Sequence, residues 1–315
     1  MQFQPIGPRG QSDELDEPQG SDGRGEFAAQ VTGVDLRHEL SAAQVLEIER
    51  AMDRFGVLVF RDQPIDEHQQ IAFARRFGPL DVGLRKIRRG PHRFAYNELA
   101  DISNVDVAGS VVEREHAKIV NNVANQLWHC DSSFQRPRAK YSMLAAAAVP
   151  GFGGDTEFAD LRLAYEALPG WLKARLGLEP GGLQAVHSAL HSRFMLGDSG
   201  YSEAQREALP PVTWPLVQTD PRTGRRILYV GAHACEVVGM TLPEGRMLLM
   251  DLIEHASQRA FVFRHEWRLG DLVMWDNTAT MHRGRWFDFA ERRELRRATT
   301  LEVTADSTPA APSGA

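Results

Sequence analysis

Short strand-like segments recur through the second half of this 315-residue chain, and turn residues separate them. Their β-branched and aromatic residues favour strands over helices. No internal repeat or linker divides the chain, so these strands are expected to bury their apolar faces within one domain. The segments are RRILYVG (225–231), AFVFRHEW (260–267), DLVMWDN (271–277) and RRATTLEV (296–303).

A few helices are predicted among the strands. Ser41 and Gln44 form a capping-box pattern, and apolar residues at helical spacing follow as far as Gly56. Strand-rich segments with a few helices indicate a mainly β fold, a sandwich or jelly roll decorated by α-helices. The further predicted helices lie at 66–77, 160–168 and 244–258.

The composition is that of a globular protein, with 43% hydrophobic and 25% charged residues. A net charge of −6 gives no reason to expect binding to nucleic acid or to an anionic membrane. Two cysteines fit a reducing compartment, and the first residues lack the apolar core of a secretion signal. We therefore expect a cytoplasmic protein with no nucleic-acid or membrane partner.

Two segments are expected to lie outside the packed core. Residues 11–25 carry five acidic residues and three glycines with a single leucine, which predicts a mobile insertion loop. Residues 305–315 predict a disordered tail. The remaining chain predicts one domain over 1–304.

The stretch LWHCDSSFQ places His129 and Asp131 on either side of Cys130. In a strand, alternate side chains share a face, so His129 and Asp131 would point one way and Cys130 the other. About one His-x-acid triplet is expected by chance in a chain with 11 His and 42 acidic residues. The pair is therefore half of a metal site only if a further ligand exists.

His282 is the best candidate for that ligand because it follows a predicted buried strand and a short link, TATM. A ligand just beyond a strand end can meet His129 and Asp131 across a barrel mouth. Two imidazoles and one carboxylate on one face of a metal leave positions open, which is the geometry of non-haem Fe(II) oxygenases.

Arg293 and Arg297 lie four residues apart and would share a face of a strand. One interpretation is a solvated basic edge strand. The other is a pair of anion receptors beside the metal, because a guanidinium binds a carboxylate bidentately. Composition alone favours the two interpretations equally.

These motifs together resemble the family of taurine dioxygenase and 2,4-dichlorophenoxyacetate dioxygenase. The similarity runs from about residue 27 to 303 and is greatest to the 2,4-dichlorophenoxyacetate branch. The resemblance implies a double-stranded β-helix (jelly-roll) core and an enzyme that uses Fe(II), 2-oxoglutarate and O2, with ascorbate keeping the iron reduced. The motifs are WHCDSSF, GGDTEFADLRLAYEALP, GDLVMWDN and HRGRWFDFAERRELRRATT.

The resemblance also implies roles for single residues. The family pattern makes His129, Asp131 and His282 the iron ligands, and no residue beyond this metal centre is given a catalytic role. Thr156 and Arg293 match the residues that hold the distal carboxylate of 2-oxoglutarate.

Three positions match substrate-binding residues of the family. Arg297 matches the arginine that receives the acidic group of the substrate, and Asn125 matches a substrate-proximal asparagine of the taurine enzymes. Lys86 matches a lysine associated with phenoxyacetate binding. The expected substrate is a small acid, such as an aryloxyalkanoate hydroxylated on the carbon beside its ether oxygen.

Alternatives remain open at this point. The same chemistry would serve taurine, another alkylsulfonate or a different natural carboxylate, although Asp81 stands where taurine enzymes carry a substrate-binding histidine. Thr278 also departs from the Trp-Asp-Asn-Arg pattern of most relatives. A non-catalytic or zinc-binding jelly roll is the rival from another class. A homo-oligomer is expected.

Overall fold

The computed structural model describes residues 1–7, 26–83, 92–178, 181–197 and 202–303. The expected insertion at 11–25, the expected tail at 305–315 and Lys86 lie outside these residues. The strands are Gln2–Gly7 (β1), Ala28–Thr32 (β2), Val57–Phe60 (β3), Ala100–Ser103 (β4), Ala139–Ala148 (β5), Thr156–Asp160 (β6), Gln184–His187 (β7), Val212–Pro215 (β8), Val217–Thr219 (β9), Arg226–Leu228 (β10), Ala234–Val237 (β11), Val262–His265 (β12), Leu272–Asp276 (β13), Thr280–Gly284 (β14) and Glu294–Leu301 (β15). The α-helices are Ala42–Phe55 (α1), Glu67–Arg75 (α2), Ala117–Val123 (α3), Leu161–Ala167 (α4), Gly170–Leu176 (α5), His191–Phe194 (α6), Glu203–Glu207 (α7) and Leu242–Ala256 (α8).

A seven-stranded sheet forms the larger layer, in the order β1-β2-β3-β13-β5-β15-β4. Its neighbours are antiparallel except β2 and β3, which run parallel. Strand β5 lies between β13 and β15, and residues 141–146 within it are all buried. A strand covered on both faces loses the alternation of polar and apolar residues, which accounts for the run MLAAAAV.

A three-stranded sheet, β12-β6-β14, faces one side of the larger sheet. Phe158 and Phe263 from the small sheet pack with Val273 and Trp275 from the large one. Two sheets closed over a shared apolar layer form the jelly-roll core, as the sequence predicts.

Helices cover the outer face of the larger sheet. Helix α1 starts at the capping box of Ser41 and Gln44, and buries Ile48, Met52 and Phe55 against the large sheet. It ends at Gly56, whose φ of +77° is the left-handed conformation that glycine adopts without a steric penalty.

The other side of the small sheet is covered by α4, α8 and two further small sheets. These sheets have the orders β11-β7-β8 and β10-β9. Leu161, Leu249 and Leu252 are fully or almost fully buried in the cluster that joins these elements. The predicted helices at 160–168 and 244–258 thus lie where the sequence placed them, within a few residues at each end. Among the described residues, no helix combines the length and the apolar character needed to cross a membrane.

Candidate active site

The two histidines of the predicted metal site face each other as partners in an antiparallel bridge. The His129 amide donates to the His282 carbonyl at 3.0 Å, and the His282 amide donates to the His129 carbonyl at 2.8 Å. Their ring centroids lie 4.2 Å apart. A reciprocal backbone pair fixes the two Cβ atoms at a short distance, so residues 153 positions apart present their rings to one point.

Asp131 completes the cluster. Its carboxylate oxygens lie 3.8 Å from Nε2 of His129 and 3.8 Å from Nε2 of His282. The stretch 127–135 is not a strand, because only His129 in it forms a bridge and residues 131–134 form a turn. The turn places Asp131 near the two histidines. A strand would have given the same placement, because alternate side chains share a face.

The three residues fit a divalent metal ion. All three are buried, and one ligand atom from each lies within 4.8 Å of the others. Each histidine Nε2 lies 3.8 Å from one of the two oxygens of Asp131, so a small inward movement of the side chains would bring a ligand atom from each residue within the bond length of about 2 Å of one ion. Two imidazoles and one carboxylate are the facial set used by Fe(II) enzymes that keep positions open for reactants.

The surroundings of the imidazoles favour their metal-binding form. Nδ1 of His129 lies 2.7 Å from the Leu127 carbonyl, which can only accept, so Nδ1 carries the hydrogen and Nε2 presents its lone pair. Burial lowers the pKa of both His129 and His282, because it disfavours the charged imidazolium. His282 is further positioned by Trp275, whose ring centroid lies 4.7 Å from its own.

Asp131 is held as an ionised carboxylate. Ser142 Oγ donates to its Oδ2 at 2.7 Å, and the Asp131 amide donates to Asn277 Oδ1 at 3.1 Å. Asn277 also donates to Ser142 at 2.9 Å, which closes a buried network. Burial alone would raise the pKa of Asp131, but Arg297, His282 and His129 outweigh it and lower the pKa to about 2.

Arg293 lines a cavity next to the metal cluster. It is 8% exposed, and its Nη2 donates to the Gly154 carbonyl at 2.9 Å. Gly154 has a φ of +74°, and a Cβ there would lie 3.0 Å from Arg293 Nε. Both the backbone conformation and the close approach of Arg293 therefore favour glycine at this position. Burial lowers the pKa of Arg293 to about 10, opposed by the charge of Asp155. A buried cation of this kind is stabilised by an anionic ligand.

Thr156 begins β6 and lines the same cavity as Arg293. Its hydroxyl oxygen accepts a hydrogen bond of 3.0 Å from the indole nitrogen of Trp267. A guanidinium and a hydroxyl therefore line one cavity beside the metal cluster. They belong to the two residues that the family resemblance assigns to 2-oxoglutarate binding.

Arg297 lies on β15 and lines the same cavity. Its Nη1 donates to Asp131 Oδ1, and its Nε is buried without a hydrogen-bond partner in the described part of the chain. The alternative of a solvated basic edge strand does not hold for this pair, because β15 lies inside the sheet between β5 and β4. An unpaired buried donor is costly, so this geometry favours an acidic ligand.

One cavity, with about 690 Å3 of empty space including its mouth, contains nearly all of these groups. A second, larger cavity adjoins it and shares Arg297, Asn125, Asn122 and Ile102 with it. The first is lined by Ile102, Ser103, Asn104, Ile119, Asn122, Asn125, Gln126, His129, Leu144, Thr156, Trp275, His282, Gly284, Arg285, Phe287, Phe289, Arg293 and Arg297.

Comparison with known proteins agrees with this arrangement. Residues 16–299 match the model of the taurine catabolism dioxygenase TauD, TfdA family. The chain belongs to this family. Its membership confirms the resemblance seen in the sequence motifs.

Several members of the family are close in sequence or structure. The alpha-ketoglutarate-dependent 2,4-dichlorophenoxyacetate dioxygenase of Cupriavidus pinatubonensis is 59% identical over 276 residues, 88% of this chain and 95% of that protein. The (S)-phenoxypropionate/alpha-ketoglutarate-dioxygenase of Sphingobium herbicidovorans is 38% identical and covers 85% of this chain and 89% of its own. The crystal structure of AAD-2 in complex with Mn(II) and N-oxalylglycine superposes with a TM-score of 0.80 at 42% identity, covering 88% of this chain and 94% of that one.

This member of the TauD, TfdA family compensates for its departure at Thr278. Lys140 Nζ donates to Asp276 Oδ2 at 2.7 Å and to Thr278 Oγ1 at 3.1 Å. The Thr278 hydroxyl donates to the other oxygen of Asp276 at 2.6 Å. A lysine from the neighbouring strand β5 thus supplies a cation to Asp276, and the turn that carries Asn277 stays in place.

Asp81 in this family member accepts hydrogen bonds from two side chains that follow Asp131 in the sequence. Its Oδ2 accepts from Ser132 Oγ at 2.8 Å and from Gln135 Nε2 at 2.9 Å. Ser132 has a φ of +48°, and it directly follows Asp131. Asp81 therefore stabilises the turn that presents the metal-binding carboxylate.

Cys130 packs as a small apolar residue in the core. It is 2% exposed, and its Sγ donates to the Thr280 carbonyl at 3.4 Å. Burial raises the pKa of this thiol far above its usual range, so it stays a neutral thiol. Sequence reasoning missed Ser142, Asn277, Gly154 and Trp267; of these, only Asn277 and Gly154 fall within motifs that were singled out, WDN and GGDT.

Proposed function

We propose that the protein is an Fe(II)- and 2-oxoglutarate-dependent dioxygenase that cleaves aryloxyalkanoates such as 2,4-dichlorophenoxyacetate. The observation that carries the proposal is the buried cluster of His129, Asp131 and His282, whose two histidines line one cavity together with Arg293 and Arg297. A metal cluster beside two arginines suits two acidic reactants that must meet at the metal.

The relatives support the substrate class. Proteins 59% and 56% identical to this chain are named as 2,4-dichlorophenoxyacetate dioxygenases, and one that is 38% identical acts on (S)-phenoxypropionate. All three names combine an aryloxy acid with 2-oxoglutarate.

The bound metal and co-substrate would supply the oxidising power, as Fe(II) and O2 convert 2-oxoglutarate to succinate and CO2. Arg293 and Thr156 would hold the distal carboxylate of 2-oxoglutarate and so aim its keto acid end at the metal. His129, Asp131 and His282 would keep one face of the metal occupied and leave the opposite face for reactants.

Substrate would be held by its carboxylate at Arg297, beside Asn125. Apolar side chains of the same cavity, Ile102, Ile119, Leu144 and Phe287, would contact the aromatic ring. This placement turns the carbon beside the ether oxygen towards the metal. Hydroxylation there gives a hemiacetal that collapses to a phenol and glyoxylate, without hydrolysis of the ether. Lys86, outside the described residues, is proposed to assist substrate binding.

Alkylsulfonates are a weaker alternative, because the relatives at 59%, 56% and 38% identity are all named for aryloxy acids. A zinc hydrolase has no use for a second anion receptor of the kind that Arg293 and Thr156 form.

The experiment that tests the proposal measures succinate and phenol released with Fe(II), ascorbate, 2-oxoglutarate, air and 2,4-dichlorophenoxyacetate. Equal amounts of both products are expected. Succinate without phenol would move the substrate to another acid, and no succinate from iron-loaded protein would refute the oxygenase itself.

We also propose that the enzyme is a cytoplasmic homo-oligomer that acts without nucleic-acid or membrane partners. Its cysteines are free, which fits a reducing compartment. Helix α8 exposes Leu242, Met247 and Met250, and a second subunit would cover apolar side chains of this kind. Light scattering after gel filtration tests the assembly.

A further inference from the structure

The hydroxyl of Thr156 is constrained by one neighbour. Trp267 lies just past β12, and its Nε1 donates to Thr156 Oγ1 at 3.0 Å. An indole N–H can only donate, so the threonine oxygen must accept this bond. The described residues give Thr156 Oγ1 no other hydrogen bond, which leaves the hydroxyl hydrogen free to point into the cavity that Thr156 lines.

Trp267 is itself held by a buried ionic cluster. Its ring packs edge-to-face with His265, with centroids 4.6 Å apart. His265 Nε2 lies 3.1 Å from Asp271 Oδ2, and this carboxylate also accepts from the Arg268 amide at 2.8 Å and pairs with Arg61. The indole therefore has little freedom to turn away from Thr156.

We propose that Trp267 is a positioning residue that makes the co-substrate receptor a set of donors only. Arg293 offers only N–H groups, and the bond from Trp267 occupies one of the two acceptor lone pairs of Thr156 Oγ1, which favours the orientation in which the hydroxyl donates into the cavity. Such a receptor suits a carboxylate, whose oxygens only accept. A carboxamide at the same end would turn its own N–H groups towards donors and leave them unpaired, so it is rejected.

This inference rests on the proposed function, since it assigns the group at Arg293 and Thr156 to the far end of 2-oxoglutarate. It adds a specificity rule to that site: the co-substrate is selected for an ionised distal carboxylate. Trp267 itself is not among the residues that line this cavity.

The test compares 2-oxoglutarate with its analogue that carries a distal carboxamide. Binding is measured by calorimetry on Mn(II)-loaded protein, so no turnover is involved. Trp267→Phe keeps an aromatic ring but frees the Thr156 hydroxyl to accept. It should weaken 2-oxoglutarate binding about 3- to 10-fold, the effect of one hydrogen bond, and reduce the preference for acid over amide. Trp171→Phe, at an exposed tryptophan, is the matched control and should change neither value.

A double-mutant cycle separates positioning from packing. In a Thr156→Val background, Trp267→Phe should have no further effect on the acid-over-amide preference, because the hydroxyl it orients is gone. Equal effects in both backgrounds would show that Trp267 acts only through packing and would overturn the inference.

A spectroscopic readout needs neither metal nor co-substrate. The indole 15N–H signal of Trp267, identified by its loss in Trp267→Phe, should shift in Thr156→Val. An unshifted signal, or an unchanged preference in a folded Trp267→Phe that binds 2-oxoglutarate, overturns this inference alone. Failure of the wild type to bind 2-oxoglutarate would overturn the proposed function and this inference with it.

Discussion

Replacing Arg293 with alanine should separate co-substrate binding from metal binding. The guanidinium is buried and donates to the Gly154 carbonyl, whereas His129, Asp131 and His282 are held by other groups. The change leaves no carboxylate without a cation, because the nearby Asp155 is paired with Arg264. We therefore expect the variant to fold and to bind metal as the wild type does.

The expected loss in 2-oxoglutarate affinity follows from the hydrogen bonds removed. A hydrogen bond to a charged group contributes about 1.5–3 kcal/mol, and each 1.4 kcal/mol is about a tenfold change in affinity. Arg293→Ala should thus weaken 2-oxoglutarate binding by about 10- to 100-fold. Calorimetry on Mn(II)-loaded protein measures this directly, and Mn(II) affinity is measured in the same samples.

Arg292→Ala is the matched control because the side chain is a neighbouring arginine that is exposed. It donates to the Gly109 carbonyl and pairs with Glu294, away from the cavity. Its 2-oxoglutarate affinity should equal that of the wild type. Unchanged 2-oxoglutarate affinity in Arg293→Ala, with Mn(II) bound, would refute the role assigned to Arg293.

Three further changes have expected outcomes. Arg297→Ala should raise the KM for the acidic substrate about tenfold or more and yield succinate without phenol; coupled product formation would contradict this. Ser142→Ala removes a hydrogen bond to Asp131 and should weaken Mn(II) binding about 10-fold, measured by electron paramagnetic resonance, and an unchanged Kd would count against it. The pKa of buried His187 is about 3, because burial and Arg138 disfavour the imidazolium. The unfolded chain binds a proton below about pH 6.5 that the folded chain does not, so stability falls by about 2 kcal/mol from this residue at pH 5. Urea unfolding at pH 7 and pH 5 should show that His187→Phe loses about 2 kcal/mol less unfolding free energy between these pH values than the wild type does. An equal loss in the two proteins would show that His187 is not the source of the acid sensitivity.

Local patterns predicted α1, α2, α4 and α8 but not the short helices α3, α5, α6 and α7. The capping box at Ser41 occurs where the sequence placed it, because the residues involved are three apart and interact whatever the rest of the chain does. Strand segments were also found, although β10 is only three residues long where seven were predicted.

The candidate site could be predicted only in part. His129 and Asp131 are close in sequence, but the bridge from His129 to His282 depends on strand order, which no local pattern encodes. The supporting contacts are also distant in sequence: Trp267 reaches Thr156 across 111 residues, and Asn277 reaches Ser142 across 135. Such pairs follow from the closure of two sheets, so physical reasoning on single segments cannot reach them.

Arg297 connects substrate recognition to the metal cluster. Its Nη1 donates to the metal-binding carboxylate of Asp131, while its buried Nε has no hydrogen-bond partner in the described residues. A substrate carboxylate would satisfy that donor and would share one guanidinium with Asp131. Because Arg297 also lines both cavities, an acid that enters from the larger one would be stopped beside the metal. The same side chain would then hold a ligand of the metal in place and fix how close the substrate comes to it.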